Sequence, residues 1–235
     1  MPRKLGIAVI AVGAVLILSA LFLLLHNRYE DARAGQQAED ALASVEAAIA
    51  TQPAETTAQT ATEETQTVPT EPPLDPEMPT VVLNGYAYVG YLELPTLELK
   101  LPVMSKWDYT RLQIAPCRQF GSSRTDDLVI AAHNYRNHFG RLKELTVGDS
   151  VAFTDMEGIV NAYRVEKVET LQPTEVAAVQ NSGHDLVLYT CTKGGKTRVT
   201  VFCDRAEEKE WGAVYKTQGG RSGRVGEKEF TRRLH

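Results

Sequence analysis

The residues in this chain best suited to covalent chemistry are a cysteine and an arginine on either side of one turn. In residues 186–205, LVLYTCTKGGKTRVTVFCDR, Cys191 closes one β-rich run, Lys193-Gly194-Gly195-Lys196 makes a polar turn, and Arg198 opens the next run. Residues 186–190 and 199–203 are rich in Val, Leu, Thr, Tyr and Phe, so two antiparallel strands are predicted, with a thiol and a guanidinium at their rim. A cysteine is a nucleophile only as the thiolate, which calls for a nearby cation or acid/base partner. An acyl intermediate also calls for donors to its oxyanion. Arg198 is within reach of Cys191 across the turn.

The acid/base partner has to come from elsewhere in the chain. His133, in Ala131-Ala132-His133-Asn134-Tyr135, follows the apolar run LVI and so lies, like Cys191, at the end of a predicted strand. His26 borders the apolar amino-terminal run, His184 sits in the turn before the cysteine strand, and His235 is the last residue. His138 shares the His133 loop, and spacing alone does not separate the two. A lone cysteine in a strand is more often a small buried hydrophobe, and a lone loop histidine a solvated polar residue. Three complementary groups at three strand ends favour chemistry, because rigid strands hold side chains while the loops admit substrate.

The elements that must position these residues are short strands. Residues 86–94, 97–104, 128–132, 150–154 and 160–170 read as β-type runs before the final pair, separated by turns such as Val147-Gly148-Asp149 and Met156-Glu157-Gly158. Around eight short strands with few long helical patterns predict an all-β fold, a closed barrel without a free edge rather than an α/β sheet. The barrel domain is expected to span residues 81–205.

Ahead of it, residues 5–25, LGIAVIAVGAVLILSALFLLL, form an uncharged run long enough to cross a hydrocarbon core of roughly 30 Å as one helix. Its length exceeds a signal-peptide core, and no small-residue cleavage site follows it, so an uncleaved anchor is expected. With Arg3 and Lys4 before the span and a short amino-terminal tail, residues 1–4 are predicted to be cytoplasmic and the carboxy-terminal domain extracellular. Residues 26–50 look helical in patches, with a weak apolar face at Leu42, Val45 and Ile49, and are read as a short stalk. Residues 51–80 are dominated by Thr, Glu, Pro, Ala and Gln and read as a disordered spacer lifting the domain from the membrane. The polar tail 206–235 is expected to be mobile and carries no evident chemistry.

Composition narrows the function classes. A net charge of −5 argues against a dedicated nucleic-acid binder. Three cysteines leave at least one unpaired, so a disulfide scaffold is not the organising idea. Cys117 and Cys203 could form a disulfide outside the membrane or remain free and buried; alternation puts Cys203 on the face opposite Arg198. Arg205, one strand length from the cysteine rim, ranks below Arg198 as a site residue.

The anchor, the spacer, GYLELPTLELKLPV (90–103), AAHNYRNHFGRLKEL (131–145) and LVLYTCTKGGKTRVTV (186–201) together resemble a sortase, the cysteine transpeptidase of Gram-positive surfaces. The resemblance covers roughly residues 81–205. It implies an eight-stranded sortase-like β-barrel with short helices and a His-Cys-Arg site. Cys191 matches the nucleophile closing the T-L-x-T-C motif, His133 the acid/base histidine, and Arg198 the arginine opening the next strand. Val187 stands where the motif has its first threonine. The CT-x-GG-x-x-R arrangement is similar to class D and class B-like sortases, and the choice between them stays open.

The resemblance further implies attack of Cys191 on an LPxTG-like sorting signal of a surface protein or pilin. A thioester forms and is passed to an amine of peptidoglycan or a pilin lysine, with no cofactor and no metal. Thr190 would support the site through a backbone or hydroxyl donor, and the connection 171–185 is where the family places substrate selection. Two other readings use the same residues differently: a cysteine hydrolase that gives the acyl group to water, and a catalytically silent barrel that binds surface peptides.

Overall fold

The computed structural model describes residues 3–51 and 76–206. The sequence expectations for most of the spacer and for the tail after Ala206 lie outside the described residues. The chain forms helix α1 (Arg3–Thr51) followed by nine strands: β1 (Val81–Leu83), β2 (Tyr86–Leu94), β3 (Leu99–Met104), β4 (Cys117–Phe120), β5 (Leu128–Ala132), β6 (Ser150–Asp155), β7 (Val160–Leu171), β8 (Leu186–Cys191) and β9 (Arg198–Arg205). Two short helices, α2 (Tyr109–Leu112) and α3 (Val176–Gln180), interrupt them.

Eight of the strands close into a barrel. The order β2-β3-β4-β5-β8-β9-β7-β6 returns to β2 through the β2–β6 pairing, and β1 adds a short hairpin strand to the edge of β2. Most pairings are antiparallel, but β3 runs parallel to β4 and β5 parallel to β8, the latter with Ala132 opposite Thr190. The closing seam depends on Gly90, which pairs with both Val103 and Asp155 at a φ of 148°. A Cβ there would come within 1.9 Å of the Thr154 carbonyl oxygen, so glycine is what lets three strands meet at this point.

Alternation divides the side chains as the pleat requires. Leu186 and Leu188 of β8 and Val201 and Cys203 of β9 join Leu92, Ile130, Phe153 and Tyr163 inside the barrel. Val187 and Phe202 form a separate outer cluster with Val129. Cys203 is therefore interior, as alternation predicts. Cys117 lies in a different cluster beneath α1, and both thiols are free and fully buried. Of the two alternatives open for these cysteines, the structure takes the second.

Helix α1 departs most from the sequence reading. It continues without a break through residues 26–50, and in place of a stalk it lays Ala34, Ala38, Ala41, Val45 and Ile49 against the barrel. The 4-3-4-4 spacing of these residues is one helical face. Leu42, expected on that face, is only half-buried. Val45 is fully buried among Tyr88, Met104 and Cys117 in the same cluster, a contribution of roughly 1.5–3 kcal/mol for such a side chain. Lys100 of β3 adds an ion pair to Glu46 at 2.6 Å, worth up to about 1 kcal/mol on a half-exposed surface. Met78, within the expected spacer, is also part of the core. Earlier in α1, the large apolar side chains between Ile7 and Leu25 are exposed, and among the described residues this is the one helix long and apolar enough to cross a membrane.

Candidate active site

Cys191 is the last residue of β8 and Arg198 the first of β9, and the two are direct cross-strand partners. They share the outer face with Tyr189 and Thr200, which are also partners. Between them, the turn is tied by Thr192, whose backbone N–H donates to the Thr197 carbonyl at 2.9 Å and whose hydroxyl lies 2.9 Å from that of Thr197. Gly194 and Gly195 supply the positive φ angles, 88° and 72°, that the turn needs. The Arg198 guanidinium donates through Nη1 to the carbonyls of Gly195 at 3.0 Å and Thr197 at 3.1 Å. One terminal nitrogen is thus held by the turn, and its other donors have no partner among the described residues.

His133 immediately follows β5. Since Ala132 is the parallel partner of Thr190, the residue after each, His133 and Cys191, emerges from the same end of adjacent strands. Both are partly exposed. Among the described residues no hydrogen bond joins their side chains; such contacts commonly tighten only when substrate binds. Burial holds His133 below the ordinary imidazole range, so the ring is neutral at pH 7 and able to accept a proton.

Thr190 acts differently from the sequence expectation. Its side chain points inward and is buried, and its hydroxyl donates to the Ala132 carbonyl at 2.8 Å. That hydroxyl is not turned towards the site rim. Instead it pins the strand that carries Cys191 to the strand that carries His133. Thr190→Val keeps the shape and removes the donor, leaving a buried carbonyl unpaired; we expect a loss of about 1–2 kcal/mol, read from the unfolding midpoint of the full-length protein.

The remaining candidates separate cleanly. Arg205 lies at the far end of β9, where it bonds Asp126 at 2.5 Å, Asn161 at 3.0 Å and the Ser123 carbonyl. His184 precedes β8 at the opposite end from Cys191 and meets Asp204 at 2.7 Å. His138 is fully buried near the Ala34 carbonyl of α1, and burial first, with His133 adding to it, lowers its pKa from 6.5 to about 4. The folded protein therefore resists protonating a group that the unfolded chain protonates below pH 6.5. Stability should fall as pH drops from 6.5 towards 4, by up to roughly 3 kcal/mol. Unfolding free energies at pH 7 and pH 4.5 should differ by clearly less in His138→Gln than in the wild type.

Several residues around the site were not singled out from sequence. Tyr189 donates its hydroxyl to Gln119 of β4, and desolvation, with smaller effects from Arg198 and Cys191, brings its pKa to about 12. Tyr189 packs with Phe120, Leu171 and α3's Val179 over the outer cluster of Val129, Val187 and Phe202. Beyond Gln119, a groove of about 730 Å³ is lined by Trp107, Arg118, Phe120 and Asp127. No group of His, Cys, Asp and Glu among the described residues could hold a metal ion. A thiol, a neutral imidazole and a guanidinium held at three strand ends are the groups that acyl transfer from a peptide requires.

The Sortase domain model matches residues 92–206. No curated protein matches the chain. Among solved structures, the chain is similar to sortase C from Clostridium perfringens SM101, with 22% identity over 51% of this chain and 70% of that one at a TM-score of 0.45. It is similar to sortase C1 from Streptococcus suis, with 26% identity over 51% of this chain and 73% of that one at 0.46. It is also similar to sortase A from Corynebacterium diphtheriae, with 19% identity over 52% of this chain and 62% of that one at 0.48. Residues 92–206, which run from within β2 to the end of β9, form a sortase domain.

Proposed function

We propose that this protein is a membrane-anchored transpeptidase that cleaves an LPxTG-like sorting signal and transfers the acyl group to an amine of the cell wall or of a pilin. The observation that carries this reading is the convergence of three strand ends. Cys191 and Arg198 face each other across one ladder, and His133 leaves the strand paired with that ladder on its other side.

In this reading neutral His133 takes the proton of the Cys191 thiol as the sulfur adds to the carbonyl carbon of the signal's threonine. Arg198 donates to the developing oxyanion from a guanidinium already fixed on its turn. The carbon–nitrogen bond breaks as protonated His133 gives its proton to the departing amine, which leaves a thioester. An incoming amine then attacks the thioester, His133 takes its proton, and Cys191 leaves and recovers that proton from His133. Proton and sulfur return to their starting states. The outer cluster that Tyr189, Phe120 and Leu171 form over Val187 offers apolar surface for the signal peptide. The apolar part of α1 would anchor the enzyme as a single-pass protein with its barrel outside.

The test is to incubate the full-length protein in lipid nanodiscs with LPxTG-like peptides and a panel of amines, beside a Cys191→Ala control, and to read products by mass spectrometry. Peptide–amine conjugates that need Cys191 are expected and would identify motif and acceptor together. Release of the free acid alone, with amines present, would replace transpeptidation with hydrolysis. Absence of any cysteine-dependent product across the library would favour the peptide-binding barrel.

A further inference from the structure

The part of α1 that leaves the apolar run does not simply pass the barrel: it meets the loop that carries His133. The Asp31 carboxylate accepts the backbone N–H of Arg136 at 3.1 Å, and the Asp31 carbonyl accepts the Asn137 side-chain amide at 3.3 Å. One turn on, Gly35 is buried with Asn137 packed so closely that an added Cβ would lie 2.5 Å from Nδ2 and 3.2 Å from Cβ of that residue. Ala34 and Ala38 are buried on the same face, and Ala38 belongs to the barrel's own core cluster. His138 is enclosed beside Ala34.

Inside the loop, aromatic rings relay this contact to the site. Tyr135 stands between the two histidines, with ring centroids 5.1 Å from His133 and 5.5 Å from His138. Residues 135, 136, 137 and 138 therefore all have contacts fixed by α1 or by each other, and His133 sits at the free end of that arrangement. The loop is also closed on itself, since Phe139 N–H donates to the His133 carbonyl at 3.2 Å and Gly140 N–H to the Tyr135 carbonyl at 2.9 Å. A shift of α1 would move a small rigid unit, and His133 with it.

We infer that Asp31 and Gly35 are positioning residues for His133, so that the anchor helix is a working part of the active site. This rests on His133 being the acid/base group. Asp31 acts through the loop and touches neither substrate nor thiol. Asp31 lies six positions beyond the end of the apolar run at Leu25, about 9 Å along the helix at 1.5 Å per residue. The loop is thus fastened to the first turns of helix outside that run.

The experiment measures iodoacetamide alkylation of Cys191 in the full-length protein in nanodiscs. Cys117 and Cys203 are fully buried, so the native-state signal belongs to Cys191. The variants are His133→Ala, Asp31→Ala, Asp31→Asn and Gly35→Leu. His133→Ala should slow alkylation strongly, and Asp31→Ala by about tenfold, the scale of one lost charge-assisted hydrogen bond. Gly35→Leu should slow it at least as much. Asp31→Asn retains an acceptor oxygen and should stay within about threefold of wild type. A purely structural role would lower the melting temperature of Asp31→Ala without changing alkylation of the folded protein or rescue by asparagine. Wild-type alkylation in Asp31→Ala, with His133→Ala slow, would overturn the clamp alone; equal slowing in the alanine and asparagine variants would overturn the carboxylate's assignment. Unchanged alkylation in His133→Ala would instead remove the histidine assignment on which the inference stands.

Discussion

Cys191→Ala should lower peptide–amine product by on the order of 10⁴-fold or more, to the uncatalysed background, while the barrel stays folded. The size follows from the chemistry: without the thiolate there is no covalent intermediate, and the remaining groups can only polarise a peptide bond that water attacks slowly. The fold should tolerate the change because Cys191 is a partly exposed residue at the end of its strand, not a member of the interior cluster. Neither other cysteine can substitute. Burial raises the Cys117 pKa to about 12 and pushes Cys203 up further still, so both are protonated and closed off at any working pH. A thiol titration should therefore count one reactive cysteine in the native protein, none in Cys191→Ala, and three in the denatured wild type. Product above background in Cys191→Ala would dismiss the cysteine mechanism.

Arg198→Lys should cost about 10²–10³-fold in kcat, nearly as much as Arg198→Ala, with a much smaller change in KM. Arginine can hold the Gly195 and Thr197 carbonyls with Nη1 and still offer its other nitrogens to an oxyanion. A lysine ammonium is a single point on a flexible stem. If it bonds the turn it is withdrawn from the substrate, and if it reaches the substrate it is no longer held. Rates for the two half-reactions, thioester formation and aminolysis, should both fall, because both pass through a tetrahedral oxyanion. A lysine variant within about threefold of wild type would show that charge alone suffices and that the planar fork is not needed.

How much of this was legible in the sequence depended on whether the signal was local. The hairpin was: alternating β-branched and aromatic residues on both sides of Lys193-Gly194-Gly195-Lys196 fix the register that sets Cys191 opposite Arg198. β5 was readable from its continuous apolar run, which suits a strand buried on both faces. β4 was not, because Cys117–Phe120 is four residues with two polar side chains, and it is held as a strand by its neighbours. α3 was missed for the same reason: a five-residue helix with no buried side chain leaves no periodicity to detect.

The docking of α1 is the most instructive difference. Its barrel-facing stripe is largely alanine and glycine in residues 34–41, so hydrophobicity there barely rises and falls around the helix. Small residues signal close approach rather than greasy burial, and only the partner surface reveals which is meant. Thr190 shows the same limit at one position. The sequence places it beside the nucleophile, but the inward direction of its hydroxyl follows from β8 alternation together with the parallel neighbour that receives the bond.

The parallel β5–β8 pairing has a consequence for when the enzyme becomes reactive. Ala132 and Thr190 are 58 residues apart, and parallel strands cannot be joined by a tight turn, so their contact carries a large loop-closure cost and belongs to the slow, non-local stage of folding. The Cys191–Arg198 hairpin can form early, but its imidazole partner arrives only with that pairing. On the proposed mechanism, a chain in which that pairing has not formed has its cysteine and arginine together but not its imidazole, and closure of the barrel is the step that completes the set.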